Sequence, residues 1–240
     1  MSTNEFPYLG ESDRFRFPPP EKATAEGIVA AGGNLSPGML LSAYSQGIFP
    51  WFSEHDPILW WSPDPRFVLF PEKLHVSKSM RRFLKKTDLQ FTVDTAFPEV
   101  LEACAAAPRD GQEGTWITAD MQEAYTTLHE MGYAHSVEAW QPEGRLAGGL
   151  YGVSLGNIFF GESMFARVSN ASKAAFIVFV RDLEKRGFRL IDSQIYTRHL
   201  ESLGGEDISR DRYLELLREG LEYPTLKGSW QPLLAGAGDD

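Results

Sequence analysis

Between Leu146 and Phe179 the hydrophobic pattern changes period. Leu146–Val153 and Ile158–Phe165 are apolar runs of strand length, joined at Gly156-Asn157, a pair that tolerates positive φ. Ala174, Phe176, Ile177, Phe179 and Val180 then recur at helical spacing, with Ser169-Asn170 as N-cap and Gly187 as C′ glycine. A further apolar strand from Phe188 runs into Asp192 and Gln194. The same reading predicts a helix from Ser36-Pro37 to Gly47, with a proline at its first position. It gives a short helix over Ser77–Lys86, a strand over Leu89–Val93 and a helix over Ala96–Ala106. A helix capped by Thr118 ends at Gly132, and a strand over Ala134–Trp140 turns at Gln141–Gly144. Beyond Gln194 come a short helix containing His199 and another capped by Ser209. The Pro- and Gly-rich residues 1–35 read as an extended covering segment, Arg109–Gly114 as a loop, and the tail from Gly228 as loose.

Polar residues interrupt this pattern at two places. Glu162 sits among Phe159, Phe160, Met164 and Phe165, where a charge is expensive to bury without partners. A lone strand Glu would point to solvent. Asp192 and Gln194, two residues apart on a strand, share a face, and the intervening helix would bring them to one mouth with Glu162.

Composition adds limits. The 240 residues are 42% hydrophobic and 12% aromatic, ample for a core. No apolar run has the length of a membrane span and the start lacks a signal pattern, so a cytoplasmic protein is expected. A single cysteine, Cys104, suits a reducing compartment and packing rather than reactivity. The net charge of −10 excludes a protein that coats nucleic acid unspecifically. Against that background the helix with Lys78, Arg81, Arg82, Lys85 and Lys86 stands out, as a phosphate-binding face or a merely solvated one. Residues 47–66 hold three tryptophans among four prolines, which argues against a regular helix or a central strand there. Fixed aromatic loops suit a wall on which a base stacks, or a plug for the core.

The common nucleophile-elbow, zinc and P-loop motifs are absent, and the five histidines lack ligand spacing. The commonest hydrolase, zinc and P-loop readings therefore have no support in the sequence. Strands with a helix packed behind and a polar-ended strand suggest an α+β sheet of the N-acetyltransferase-like (GNAT) type. The strand-to-helix junction Phe165–Lys173 has no glycine to admit a pyrophosphate, so a different acyl donor is implied.

The segments GIFPWF, WWSPDPR, EGTWIT, GGLYGV, FFGESMFARVSNASKAA, LIDSQ and HLESLGG, in this order between Pro18 and Leu217, resemble the bacterial leucyl/phenylalanyl-tRNA–protein transferases. The resemblance implies a small N-terminal α/β domain (residues 1–62) and a GNAT-like domain (63–240). It implies transfer of Leu or Phe, with Met a third candidate, from aminoacyl-tRNA to an N-terminal Arg or Lys, by a monomer without metal or cofactor. On this resemblance Leu150, Phe159, Met164, Phe179 and Ile191 line the amino-acid pocket, with leucine at 150 where a related pocket has methionine. Trp51 and Trp116 meet the terminal adenosine, and Lys78, Arg81, Arg82, Lys85 and Lys86 meet the tRNA stem. Glu162, Asp192 and Gln194 surround the ester and the incoming amine. Two other classes compete with this reading: a CoA-dependent N-acetyltransferase, which the glycine-free junction opposes, and a peptide-binding adaptor, which would not need the tryptophan loops.

Overall fold

The computed structural model describes residues 6–107 and 115–231; the loop expected at Arg109–Gly114 lies outside them. Strands β1 (Ile28–Ala31), β2 (Phe49–Pro50) and β3 (Leu59–Trp61) form an antiparallel sheet of order β1-β3-β2, with helix α1 (Pro37–Ser45) between β1 and β2 in the chain. There follow β4 (Arg66–Leu69), α2 (Lys78–Lys86), β5 (Gln90–Val93), α3 (Phe97–Ala106), α4 (Ala119–Glu130), β6 (Ala134–Trp140) and β7 (Leu146–Leu155). The chain continues with β8 (Ile158–Ala166), α5 (Ala171–Lys185), β9 (Leu190–Asp192), α6 (Arg198–Glu201), β10 (Glu206–Ile208) and α7 (Arg210–Leu221). The seven strands from β4 onward form one sheet of order β10-β4-β9-β8-β7-β6-β5. No described helix is long and apolar enough to cross a membrane.

The sheet is covered on both faces. Phe159, Leu150 and Ile191 pack with Phe179 of α5 on one side, joined by Met80 of α2. Phe160 and Tyr151 pack with Tyr44 of α1, Val100 of α3, Tyr125 of α4 and Tyr213 of α7 on the other. Burial on both sides explains why all ten residues of β7 are buried and why its sequence is a run of apolar and small residues. Gly148 serves the packing of α5: a Cβ there would lie 2.9 Å from the Ser172 backbone nitrogen, so only glycine lets the helix start this close to the sheet.

Two irregularities create the space for a site. The first is a β-bulge. Tyr151 pairs with Ser163 and Gly152 with Gly161, which leaves Glu162 as the extra residue of β8. The bulge reverses the alternation along the strand. Before it Phe159 faces α5 and Phe160 the opposite helices; after it Met164 faces α5 and Phe165 the helices. The second is a divergence. The parallel pair β8–β9, bridged by α5 as a parallel pair must be, holds only from Ile158↔Leu190 to Phe160↔Asp192. Beyond Asp192 the chain follows β4 instead, with Ser193 N–H donating to Phe67 O (3.1 Å) and Phe67 N–H to Gln194 O (3.4 Å). A gap opens between β8 and the segment after β9.

Several local expectations need correction. The prolines of residues 47–66 do not exclude a central strand: Leu59–Trp61, a proline-free run, is the middle strand of the small sheet. Asn170 does not cap α5 through its side chain; it takes a left-handed conformation (φ 67°) and the helix begins after it. Ser36 likewise donates to Asn34 Oδ1 (2.6 Å) and accepts from Leu9 N (3.1 Å) rather than capping α1. The tail is not loose from Gly228. Trp230 is buried, its ring stacked on His135 at 3.7 Å and its backbone N–H donating to Asp94 Oδ2 (2.7 Å). An aromatic face and a buried acceptor hold this segment, and composition alone reveals neither.

Candidate active site

A cavity of about 490 Å³ fills the gap. Six consecutive residues of β8, from Gly161 to Ala166, line it, because the strand presents its open edge there. Ser193, Gln194 and Ile195 form the facing wall.

One end is aromatic. Phe49, Pro50, Trp51 and Trp116 line it. Trp51 is fixed by its neighbours: its N–H donates to Leu59 O (2.9 Å), its carbonyl accepts from Trp61 Nε1 (2.6 Å), and its ring lies 5.5 Å from that of Trp61. Trp60, by contrast, is wholly buried and bonded to Gly32 O (2.8 Å). The tryptophan loops thus supply both a wall and a plug.

The apolar end is lined by Leu150, Met164 and Ile191, together with Phe165, Phe176 and Leu200. Phe159 and Phe179 belong to the buried layer instead, edge to face at 4.9 Å and without accessible surface. The reason is geometric. The cavity lies at the N-terminal end of α5, so Phe176, one turn earlier than Phe179, reaches it. Phe159 precedes the bulge in the fully paired part of β8.

Glu162 occupies the polar centre. Its Oε1 accepts from Tyr44 Oη (2.7 Å) and Gln194 Nε2 (2.8 Å), and its Oε2 from Tyr125 Oη (3.0 Å). The two tyrosine hydroxyls also lie within hydrogen-bond distance of each other, so their two protons are shared among three contacts. Burial pushes the Glu162 carboxyl up to about 7; the three donors oppose that shift, and the charge of Asp192 adds to it. Burial, followed by the negative charge of Glu162, raises both tyrosines well above their ordinary range.

Asp192 and Gln194 do not project side by side from one strand. Strand β9 ends at Asp192, and Gln194 has φ 65°, a left-handed residue outside the alternation. Gln194 therefore turns into the cavity, while Asp192 has no exposed surface and faces α7. Its Oδ1 accepts from Arg66 Nε (2.8 Å) and Gln194 N (2.9 Å), its Oδ2 from Arg66 Nη2 (2.6 Å) and Tyr213 Oη (2.7 Å). Burial disfavours the Arg66 charge, but the facing carboxylate outweighs it and raises the pKa.

Tyr44, Tyr125, Arg66 and Tyr213 escape sequence reading, since each comes to the site from a distant segment; Phe176 escapes it because the sequence does not show which turn of α5 meets the cavity. The one available signal was a tyrosine on α1, a helix otherwise of apolar and small residues. His199 also lines the cavity, and burial and nearby Lys173 lower its pKa. The five cations of α2 are all exposed, none ion-paired among the described residues, and none lines the cavity. Among those residues no three or more His, Cys, Asp or Glu side chains are grouped to hold a metal.

Residues 68–218 match the profile of the leucyl/phenylalanyl-tRNA protein transferases, and 33–64 that of their N-terminal domain. The chain belongs to this family. A leucyl/phenylalanyl-tRNA–protein transferase of Desulfatibacillum aliphaticivorans is 54% identical over 93% of this chain and 96% of its own. Those of Syntrophus aciditrophicus (57%, covering 89% of each chain) and Myxococcus xanthus (56%, covering 89% and 91%) are similar. A solved structure described as L-PGS from Bacillus licheniformis shares 12% identity over 54% of this chain and 45% of that one, with a TM-score of 0.36, too loose a likeness to fix the fold family.

Proposed function

We propose that this transferase moves leucine or phenylalanine from aminoacyl-tRNA to the N-terminal amine of a protein beginning with Arg or Lys. The product would then carry a leucine or phenylalanine signal of the bacterial N-end-rule pathway. The observation that carries this reading is the meeting of Glu162 and Gln194 in one cavity that also has an aromatic wall and an apolar end. The terminal adenosine stacks on Trp51 and Trp116. The amino-acid side chain enters among Leu150, Met164, Phe176 and Ile191, where shape rather than hydrogen bonding selects it. We read residues 63–240 as a GNAT-like unit following a domain of residues 1–62, on the open parallel pair β8–β9 and the helix that joins it.

The ester is already activated, so the enzyme's task is placement. The acceptor nitrogen attacks the ester carbonyl, a C–N bond forms, and the C–O bond to ribose breaks. The proton shed by the amine balances the departing ribose oxygen. The Gln194 amide nitrogen is committed to Glu162, which leaves its oxygen to accept from the attacking amine. Glu162, as a carboxylate, holds the cationic acceptor. The deciding experiment incubates the protein with tRNA charged with labelled leucine and an Arg-initiated peptide. Label in a new peptide bond at the peptide's N-terminus is expected; its absence would overturn the reading.

Two predictions arise here. With the Glu162 carboxyl at about 7, the KM for an Arg-initiated peptide should fall as the pH rises from about 6 to 8, because only the carboxylate pairs with the cation. Glu162→Gln should flatten that profile and raise KM at pH 8 about tenfold or more, the scale of one charged hydrogen bond. The stability effect has the opposite sign. A carboxyl whose folded pKa lies above its unfolded value of 4.5 loses stability as pH rises through this interval, so Glu162→Gln should also flatten the melting temperature between pH 5 and 8.

The second concerns α2. Changing Arg81, Arg82 and Lys85 to Gln should weaken tRNA binding and flatten its salt dependence by roughly two to three charges' worth of slope. Transfer from a minimal aminoacyl-adenosine donor should be unaltered. An unchanged salt slope would return the helix to a solvated face.

A further inference from the structure

One guanidinium touches both halves of the site. Arg66 is 1% exposed and lies in β4, outside the cavity wall. Its Nε and Nη2 grip Asp192 in a two-point bond, and its Nη1 reaches the Gly47 carbonyl (3.3 Å). Its Cζ lies over two rings, Phe49 at 4.8 Å and Tyr213 at 4.4 Å from the centroids. Phe49 is part of the aromatic wall, next but one to Trp51. Asp192, in turn, accepts from the backbone N–H of the residue two positions on, an Asx-type turn that holds Gln194 left-handed. A non-glycine residue in that conformation is strained, so it needs such a hold.

We propose that Arg66 is a positioning residue for aminoacyl transfer: through Asp192 it sets the Gln194 turn, and through Phe49 and Gly47 it sets the aromatic wall against that turn. Four donors occupy the Asp192 carboxylate, which leaves it no free lone pair for an amine; it acts on the chemistry through Gln194. A buried ion pair is seldom retained for stability alone, since apolar residues of the same volume serve as well or better. Here planarity matters. Only a guanidinium bonds a carboxylate at two points while lying over aromatic rings, and a lysine cannot replace it.

This inference rests on the transfer reaction proposed above, so wild-type transfer of labelled leucine to an Arg-initiated peptide is measured first. Failure of that control would overturn the functional reading; the comparisons below judge Arg66 by itself. Arg66→Lys should lower kcat at least tenfold, with KM for charged tRNA and for peptide both within threefold of wild type. Gln194→Gly supplies the second test, because glycine adopts φ 65° without a hold. If Arg66 acts by presenting the Gln194 amide, Arg66→Lys should cost less than twofold further in the Gln194→Gly background. Should Arg66→Lys fail to fold, Tyr213→Phe, which removes one hydroxyl from Asp192, takes its place in the same cycle with an expected loss of threefold or more. A folded Arg66→Lys with wild-type kcat overturns the proposal. So does a loss that is fully additive with Gln194→Gly, or one confined to KM.

Discussion

Gln194→Ala should lower the single-turnover rate of transfer about a hundredfold or more, the scale of one positioned proton-accepting group, with tRNA affinity changed by less than twofold. The separation follows from what the residue touches. Its amide nitrogen is held by Glu162 and its backbone N–H by Asp192, so its oxygen is the acceptor left for an incoming amine. The aromatic wall for the donor belongs to other segments of the chain. Alanine keeps the backbone bond to Asp192, so the protein should remain folded. It removes one of three donors to Glu162, which should move that carboxyl further above 7 and shift the peptide KM profile to higher pH. Rapid-quench measurement with saturating charged tRNA checks the rate, and a normal rate in a folded Gln194→Ala protein would remove the residue from the mechanism.

Asp192→Asn should act first on stability. Breaking a buried ion pair at one partner leaves the other charge uncompensated and typically costs 3–5 kcal/mol. Arg66 has 1% exposure and nowhere to turn for water. For a chain of this size a loss on that scale lowers the melting temperature by roughly 10 °C. Asparagine is nearly isosteric, so the change tests charge and not packing. Its amide group would also set a donor against Arg66 Nη2 or the Tyr213 hydroxyl, where a carboxylate oxygen now accepts. Thermal melts at neutral pH decide the matter. A loss below about 1 kcal/mol would mean that the pair contributes little and that Asp192 is better read as a reactive group facing the amine.

These two expectations divide residues that the sequence presents as equivalent, and the division shows where sequence reading stops. Period and caps are local properties, so most of the elements were legible, including Thr118 and Ser209, which cap α4 and α7 through their side chains. The polar interruptions at Glu162 and Gln194 were legible too, because a carboxylate inside an aromatic run is conspicuous wherever it points. The strand period, however, holds only while the strand lasts. One residue too many at Glu162 reverses the faces of β8, and one left-handed residue at Gln194 ends the alternation after Asp192. Neither leaves more of a sign than a glycine at 161. Nor does a sequence show which turn of a helix meets a cavity, and so Phe179 was expected where Phe176 stands. Arg66 was visible only as a basic residue in a proline-rich segment; its partner lies 126 residues further on.

The docked tail bears on synthesis. Asp94 and His135 leave the ribosome well before Trp230, and β5 pairs with β6 without it. Until Trp230 follows, the His135 ring lacks the aromatic cover stacked on it, and Asp94 lacks the backbone donor that the tail brings. A nascent chain halted before that point carries an open, wettable slot beside its main sheet, where unfinished chains are prone to associate. Folding of this enzyme is complete only once residue 230 has left the ribosome and docked on His135 and Asp94.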